Sequence, residues 1–193
     1  MDKEEYLTAL GKKTALSAGL AAYINYVLIA EQFSAKQVLR LDQIRINPTT
    51  MILKGSARLY LETEYREEHT LLFYQHHDFL SIGPEMRLHP ESALFIEFLE
   101  DSELCLVPDN HLANLYKLFP EFPQVQSGHD QTFKQILFNH HISLSVLSGF
   151  QRYSRFLSEY KQIAMVCEQK KIASFLGMDP KTLSRLRGKP NRK

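Results

Sequence analysis

The sequence predicts an α+β fold, and three observations carry that prediction. Short runs with a two-residue period fill the chain from Phe33 to about Val107. Apolar residues recur at spacings of 4, 3, 4 and 3 between Phe133 and Leu147, and residues 170–187 read as two short helices joined by a glycine turn. The expected order is a helical segment over 1–30, an antiparallel β-domain over 31–109, helices over 110–150 and a helix-turn-helix over 151–193.

With 193 residues, 44% hydrophobic and 23% charged, the chain is ordinary globular material, long enough to bury roughly 70% of its unfolded surface. Two distant cysteines, Cys105 and Cys167, supply neither a disulfide framework nor the four thiolates of an iron-sulfur cluster, which fits a reducing cytoplasm. Thr14 to Ala30 is apolar and follows Lys12 and Lys13, but it carries Ser17, Asn25, Tyr23 and Tyr26, and the chain opens on acidic residues. A packed helix is expected there rather than a signal or membrane segment.

The β-type runs are Val38 to Ile44, Thr50 to Leu53, Ala57 to Glu62, Thr70 to Tyr74, Ala93 to Leu99 and Leu104 to Val107. Leu59 and Leu61 alternate with Arg58, Tyr60 and Glu62, placing the two sets on opposite faces. Breaks at Asn47-Pro48, Lys54-Gly55, Glu62 to Glu68, Gly83-Pro84 and Glu100-Asp101 separate short strands, the mark of an antiparallel sandwich or barrel.

Helical spacing returns at His111 to Phe119 and, past Pro120 and Pro123, from about Asp130 to Phe150. Here Phe133, Leu137, His140, Leu144 and Leu147 form a coiled-coil seam expected to meet a second copy of the chain. Ile136, Phe138, Ile142 and Val146 widen the apolar surface, so one side of this helix is expected to cover the β-domain. Tyr153, Phe156, Leu157 and Tyr160 form another amphipathic helix.

In the terminal hairpin, Ile172 and Leu176 share a face, Ala173 admits a close neighbour, and Gly177 permits the reversal. Asp179 is an expected N-cap with Pro180 at the first helical position. Leu183, Leu186 and Met178 turn inward, leaving Lys181 and Arg185 outward with Thr182 and Ser184 beside them. Residues 151–193 carry a net charge of +8 against −7 for residues 1–150. A basic head on an acidic body points to a polyanion at one end only.

These residues resemble the Crp-Fnr superfamily of bacterial transcription regulators, in the form of its Bacteroidetes-type members. The most specific part of the resemblance is Arg152-Tyr153, Tyr160, Ile172 to Met178 and Thr182 to Arg187. Weaker echoes are Lys54 to Tyr60, Thr70 with Phe73, Asp78-Phe79, and Ile96 with Leu99 to Leu104. The resemblance implies a β-roll of cupin-like jelly-roll type, a long dimerisation helix and a C-terminal helix-turn-helix domain, here without an evident wing. It further implies a homodimer on a near-palindromic double-stranded DNA operator, no enzymatic activity and no cofactor. RNA polymerase and a small-molecule effector in the roll are further candidate partners; no membrane partner is expected. Lys181, Thr182, Ser184 and Arg185 are expected at base edges, and Lys170, Lys171, Arg187, Lys189 and the rest of the tail at phosphates.

Two departures from the family pattern matter. Cyclic-AMP-binding members carry a Gly-Glu pair and an Arg-Ser-Ala group, whereas this chain has Ser81-Ile82 and Glu91-Ser92-Ala93. A carboxylate in place of a phosphate-binding guanidinium argues against cyclic nucleotide binding in the usual mode. The recognition helix opens with Pro180-Lys181 instead of the arginine and glutamate of catabolite-activator-type members, which predicts a different operator.

The histidines leave an alternative, a haem, metal or redox sensor using His77 or His140. His76 and His77 are not expected to share one metal if their segment is extended, because adjacent strand residues face opposite sides. A module that docks on protein without binding DNA is the remaining rival.

Overall fold

The computed structural model describes residues 2–81 and 93–188, so Ile82, Glu91, Ser92 and Lys189 lie outside the described residues. Two N-terminal helices, α1 (Lys3–Leu10) and α2 (Ala18–Val27), precede seven strands among the described residues: β1 (Ile29–Phe33), β2 (Val38–Arg40), β3 (Met51–Lys54), β4 (Ala57–Glu62), β5 (Glu68–Tyr74), β6 (Ala93–Phe98) and β7 (Ser102–Leu106). Six helices follow: α3 (Asp109–Leu118), α4 (Phe122–Val146), α5 (Gly149–Glu159), α6 (Lys161–Val166), α7 (Gln169–Phe175) and α8 (Pro180–Arg187).

The strands form two antiparallel sheets, ordered β1-β7-β3 and β2-β6-β4-β5. Between them lies a core of Ile52, Ala57, Leu59, Leu72, Ile96, Phe98 and Leu104, each shielded from water by the alternation that also sets the strand faces. A second core joins α1, α2, α3 and the start of α4 to β3, through Tyr6, Leu20, Ile24, Met51, Leu115 and Phe122. Gly55 turns β3 into β4 at φ 86°, with Ser102 packed so close that any Cβ at this position would collide with it. Among the described residues no helix is long and apolar enough to cross a membrane.

Two elements start or end away from their sequence-expected positions. The apolar run to Ala30 splits, because α2 stops at Val27 and Ile29–Phe33 pair with Leu106–Ser102 as a strand. Pairing with a neighbour decides such short apolar runs, and their periodicity does not. The long helix begins at Phe122, with Pro123 tolerated in its first turn, and ends before Leu147 because Ser148 and Gln151 form a capping box that starts α5.

The outer face of the larger sheet is not solvated. Arg58 is 1% exposed and faces Phe73 on one neighbouring strand and Glu97 on the other. Its Nε donates to Glu97, Nη1 to Thr70 Oγ1 at 3.0 Å, Nη2 to Glu68, and its guanidinium lies 4.1 Å above the Tyr60 ring. The covering layer is the C-terminal head: Phe73 packs with Phe156, Ile163, Ile172, Phe175 and Leu183. Arg58→Met is expected to lower folding stability by about 3–5 kcal/mol, because it leaves Glu97 charged and unpaired by its strand partner. Urea unfolding checks this, and a loss below about 1 kcal/mol would show that Glu97 does not depend on Arg58 for its compensation.

Candidate nucleic-acid interface

The terminal hairpin closes as its sequence demands. Ile172, Ala173, Leu176 and Leu183 are buried, and Gly177 adopts φ 60° at the reversal. The Met178 amide donates back to the Ala173 carbonyl at 3.0 Å, so the end of α7 is satisfied within the turn. The Asp179 carboxylate accepts from the Lys181 amide at 2.8 Å, and Pro180 occupies the first turn of α8. This leaves Lys181, Thr182, Ser184, Arg185 and Arg187 exposed along α8, with Lys170 exposed on α7.

Lys171 departs from its expected place among the phosphate contacts. Its Nζ lies 2.7 Å from Glu97 Oε1 and 2.8 Å from Glu168 Oε1, with the side chain only 14% exposed. Burial opposes its charge, but the two carboxylates hold its pKa above the usual lysine range. The inward face of α7 is fixed further where the Thr70 amide, on the edge strand β5, donates to Ser174 Oγ at 2.9 Å.

Four of the five seam residues also differ from expectation, and the fifth, Leu147, lies past the end of the long helix. Phe133 and Leu137 pack on the β-domain core, His140 stacks on Phe175 of α7 with centroids 4.2 Å apart, and Leu144 lies over Gly177. The seam faces the chain's own body, since the head folds back under α4. The widening residues Phe138, Ile142 and Val146, 60%, 40% and 73% exposed, occupy the opposite face.

Arg152 joins these parts. Its Nη1 donates to the Leu147 carbonyl at 2.7 Å and its Nη2 lies 3.4 Å from the Gly177 carbonyl. A guanidinium thus caps the negative end of α4 while holding the turn of the hairpin. Neither Arg152's role nor the Arg58–Glu97–Lys171 chain was read from the sequence. The available signal was Glu97 within the apolar run Ala93 to Phe98, a carboxylate that demands a cation wherever that strand is buried.

An open cleft of about 1180 Å³ separates α1, the turn after β5, α4 and α5, lined among others by Glu5, His77, His129, Asn139, Arg155 and Tyr160. The segment holding His76 and His77 is not extended: Asp78 N donates to the Gln75 carbonyl at 2.9 Å, and His77 takes φ 71°. The turn directs both rings to one Glu5 oxygen, at 3.0 and 2.9 Å, so the alternation argument does not apply to them. Ser81 follows this segment as partly buried coil.

Burial lowers the His140 pKa, with Arg155 and Arg152 adding to the effect. The unfolded chain therefore takes up this proton first. The stability His140 contributes is complete above its ordinary pKa of about 6.5 and is lost as pH falls through the lower folded value. His140→Phe, which keeps a ring on Phe175, is expected to lose less stability than the wild type between about pH 7.5 and about pH 5 by urea unfolding. His129 is shifted in the same direction and stays in both proteins, so equal losses would remove His140 from the acid response.

No protein-family model matches the sequence, and no curated protein matches it. Solved structures do. FixK2 from Bradyrhizobium japonicum superimposes with a TM-score of 0.67 at 16% identity, covering 83% of each chain. A protein from Eubacterium rectale, described as a transcriptional regulator of the crp/fnr family, gives 0.66 at 18% identity over 89% of this chain and 82% of that one. The c-di-GMP-responsive global regulator CLP of Xanthomonas campestris gives 0.59 at 15% identity over 88% and 89%. Built from two antiparallel sheets followed by a 25-residue helix and a terminal helix-turn-helix, the chain has the Crp-Fnr-type fold.

Proposed function

We propose that this protein is a homodimeric, sequence-specific DNA-binding transcription regulator, reading its operator with α8. The observation that carries this reading is the outer face of that helix. Lys181, Thr182, Ser184, Arg185 and Arg187 stand exposed, while the residues between them anchor the hairpin to the body. The +8 charge of residues 151–193 favours the same partner. Arg185 suits a bidentate contact to guanine, and Lys170 and Arg187 suit phosphates. Two copies would place their helices in successive major grooves, roughly 34 Å apart.

The dimer face in this proposal is the outer stripe of α4. Phe138, Ile142 and Val146 recur every four residues, so a second copy of the same helix, packed across it, would cover an otherwise solvated apolar row. The fold similarity to regulators supports a second copy as the occupant. Phe138→Glu combined with Val146→Glu is expected to convert a dimer to a monomer by sedimentation, without loss of folding because both residues are exposed. A dimer that persists in the double variant would move the interface elsewhere.

Glu91, which lies outside the described residues, puts a carboxylate where a cyclic phosphate needs a cation and so disfavours cyclic AMP as the effector. A head that changes its angle would do so at Leu147-Ser148, the break between α4 and α5.

The test is selection of fragmented genomic DNA by the purified protein, beside Arg185→Ala and Lys170→Ala. The wild type is expected to enrich a near-palindromic motif. Arg185→Ala is expected to lose about 1–3 kcal/mol of discrimination between that motif and random DNA. Lys170→Ala is expected to weaken both equally and lower the salt slope by about one. Complete absence of DNA binding would favour a protein-docking module.

A further inference from the structure

The geometry points to a binding site for a divalent transition-metal ion of the zinc type, formed by Glu5, His76 and His77. Both imidazole Nε2 atoms converge on Glu5 Oε1, at 3.0 Å from His76 and 2.9 Å from His77. The donor atoms of all three residues lie within 4.8 Å of one another, and the two rings stack at 3.8 Å. A tetrahedral ion with nitrogen and oxygen ligands at about 2.0–2.2 Å separates its donors by about 3.4 Å. The Glu5 oxygen stands about half an ångström or less inside that separation from each Nε2, and both imidazoles already present Nε2 to it.

The backbone holds this arrangement before any ion arrives. The His77 amide donates to the Ile52 carbonyl at 2.8 Å, the Ile52 amide donates to the Asp78 carbonyl at 3.0 Å, and the Gln75 amide donates to Asp78 Oδ2 at 2.8 Å. The turn is thereby stapled to β3 and closed on itself. His77 holds a left-handed φ of 71°, a conformation that is unfavourable for a non-glycine residue. That conformation is what brings a second ring to the side of the first. Glu5 is equally fixed, since the next residue, Tyr6, is fully buried and donates to the Thr49 carbonyl at 2.7 Å. Rigid elements on both sides are what a metal site requires of its support.

The donor set selects the ion. Two imidazoles and one carboxylate suit Zn²⁺, Ni²⁺ or Cu²⁺ and disfavour Mg²⁺ and Ca²⁺, which take mainly oxygen ligands. All three residues line the large cleft, and their side chains are 33–50% exposed, so an ion can enter from solvent. Three protein ligands leave a fourth position for water or a small anion. The site stands independently of the DNA-binding reading, because none of its residues belongs to the head.

The experiment uses tag-free full-length protein stripped of metal and titrated with ZnCl₂ against a chromogenic chelator, with MgCl₂ as the control ion. One zinc per chain is expected, together with a tetrahedral-type visible absorption when Co²⁺ replaces zinc. His76→Ala, Glu5→Gln and His77→Gly are each expected to weaken zinc binding at least about tenfold, since even residues that only support metal ligands are worth about 10–100-fold. Glycine at 77 keeps the left-handed turn without strain, so that variant loses the ligand and not the fold. His141→Ala, at an exposed position on α4, is expected to bind as the wild type does. Zinc affinity unchanged in His76→Ala and His77→Gly, or no zinc binding by the wild type, would overturn the site.

Discussion

A guanidinium buried in the middle of a β-sheet sets the terms for the rest of this structure. Arg58 sits on β4, the strand that hydrogen-bonds to both β5 and β6, and it is almost inaccessible to water. An isolated charge in that position would be prohibitively unstable, so each of its three nitrogens needs a partner. Glu97 on β6 and Glu68 and Thr70 on β5 meet them, all from the same sheet face. That solution creates a second requirement, because Glu97 has another oxygen. Lys171 supplies its partner from α7, and the helix that carries Lys171 also covers Phe73. The polar and apolar demands of one sheet face are thus satisfied by the same helix, which is why the head lies against β5.

The fold was legible where one residue type admits one local structure. Gly177, Asp179 and Pro180 specify a reversal, a cap and a first helical turn whatever surrounds them, and the hairpin forms on those residues. The β-domain was legible from alternation for the inward set, as with Leu59, Leu72 and Ile96. It misled for the outward set, because alternation states that Arg58 and Tyr60 oppose Leu59 and says nothing about what covers them. Lys171 could not be placed for the same reason. Its partner Glu97 is 74 residues away, and only the docking of the two domains brings them together. The expectation that His76 and His77 would not share a metal held only for an extended segment, and the hydrogen bonds to Ile52 impose a turn instead. Those bonds are tertiary, and no local pattern encodes them.

The long helix shows how a periodic signal can be sound and its partner misassigned. The spacing of Phe133, Leu137, His140 and Leu144 places these four on one face, as the geometry of a helix requires, while Leu147 falls just past the helix end. Periodicity reports a face that is covered; it carries no information on whether another chain or the same chain covers it. Here the head supplies the cover, with Phe175 against His140 and the Gly177 turn beneath Leu144. The second apolar row, Phe138, Ile142 and Val146, is left outside. Phe138 and Val146, at 60% and 73% exposed, point to a partner more strongly than the seam, whose residues already have partners within the chain, although Leu144 keeps 38% of its surface in solvent.

Coupling between the head and the body follows from the same contacts. Turning the head about Leu147-Ser148 would separate Lys171 from Glu97, free the Thr70 amide from Ser174 and draw Phe73 out of its aromatic surroundings. Arg152 adds its bond across the break to the Leu147 carbonyl. Each loss is modest in water, but Glu97 would keep its buried guanidinium while losing the ammonium, so the rearrangement is opposed electrostatically as well as by packing. A ligand in the cleft shifts such an equilibrium only by the difference in its affinity for the two arrangements. The cleft is suited to produce that difference, because one wall is the body and another is α5 of the head, and Gln75 Nε2 spans from the turn after β5 to the Glu159 carbonyl at 3.4 Å. Any ligand that moves this turn therefore acts directly on the C-terminal end of α5, without needing a path through the protein interior.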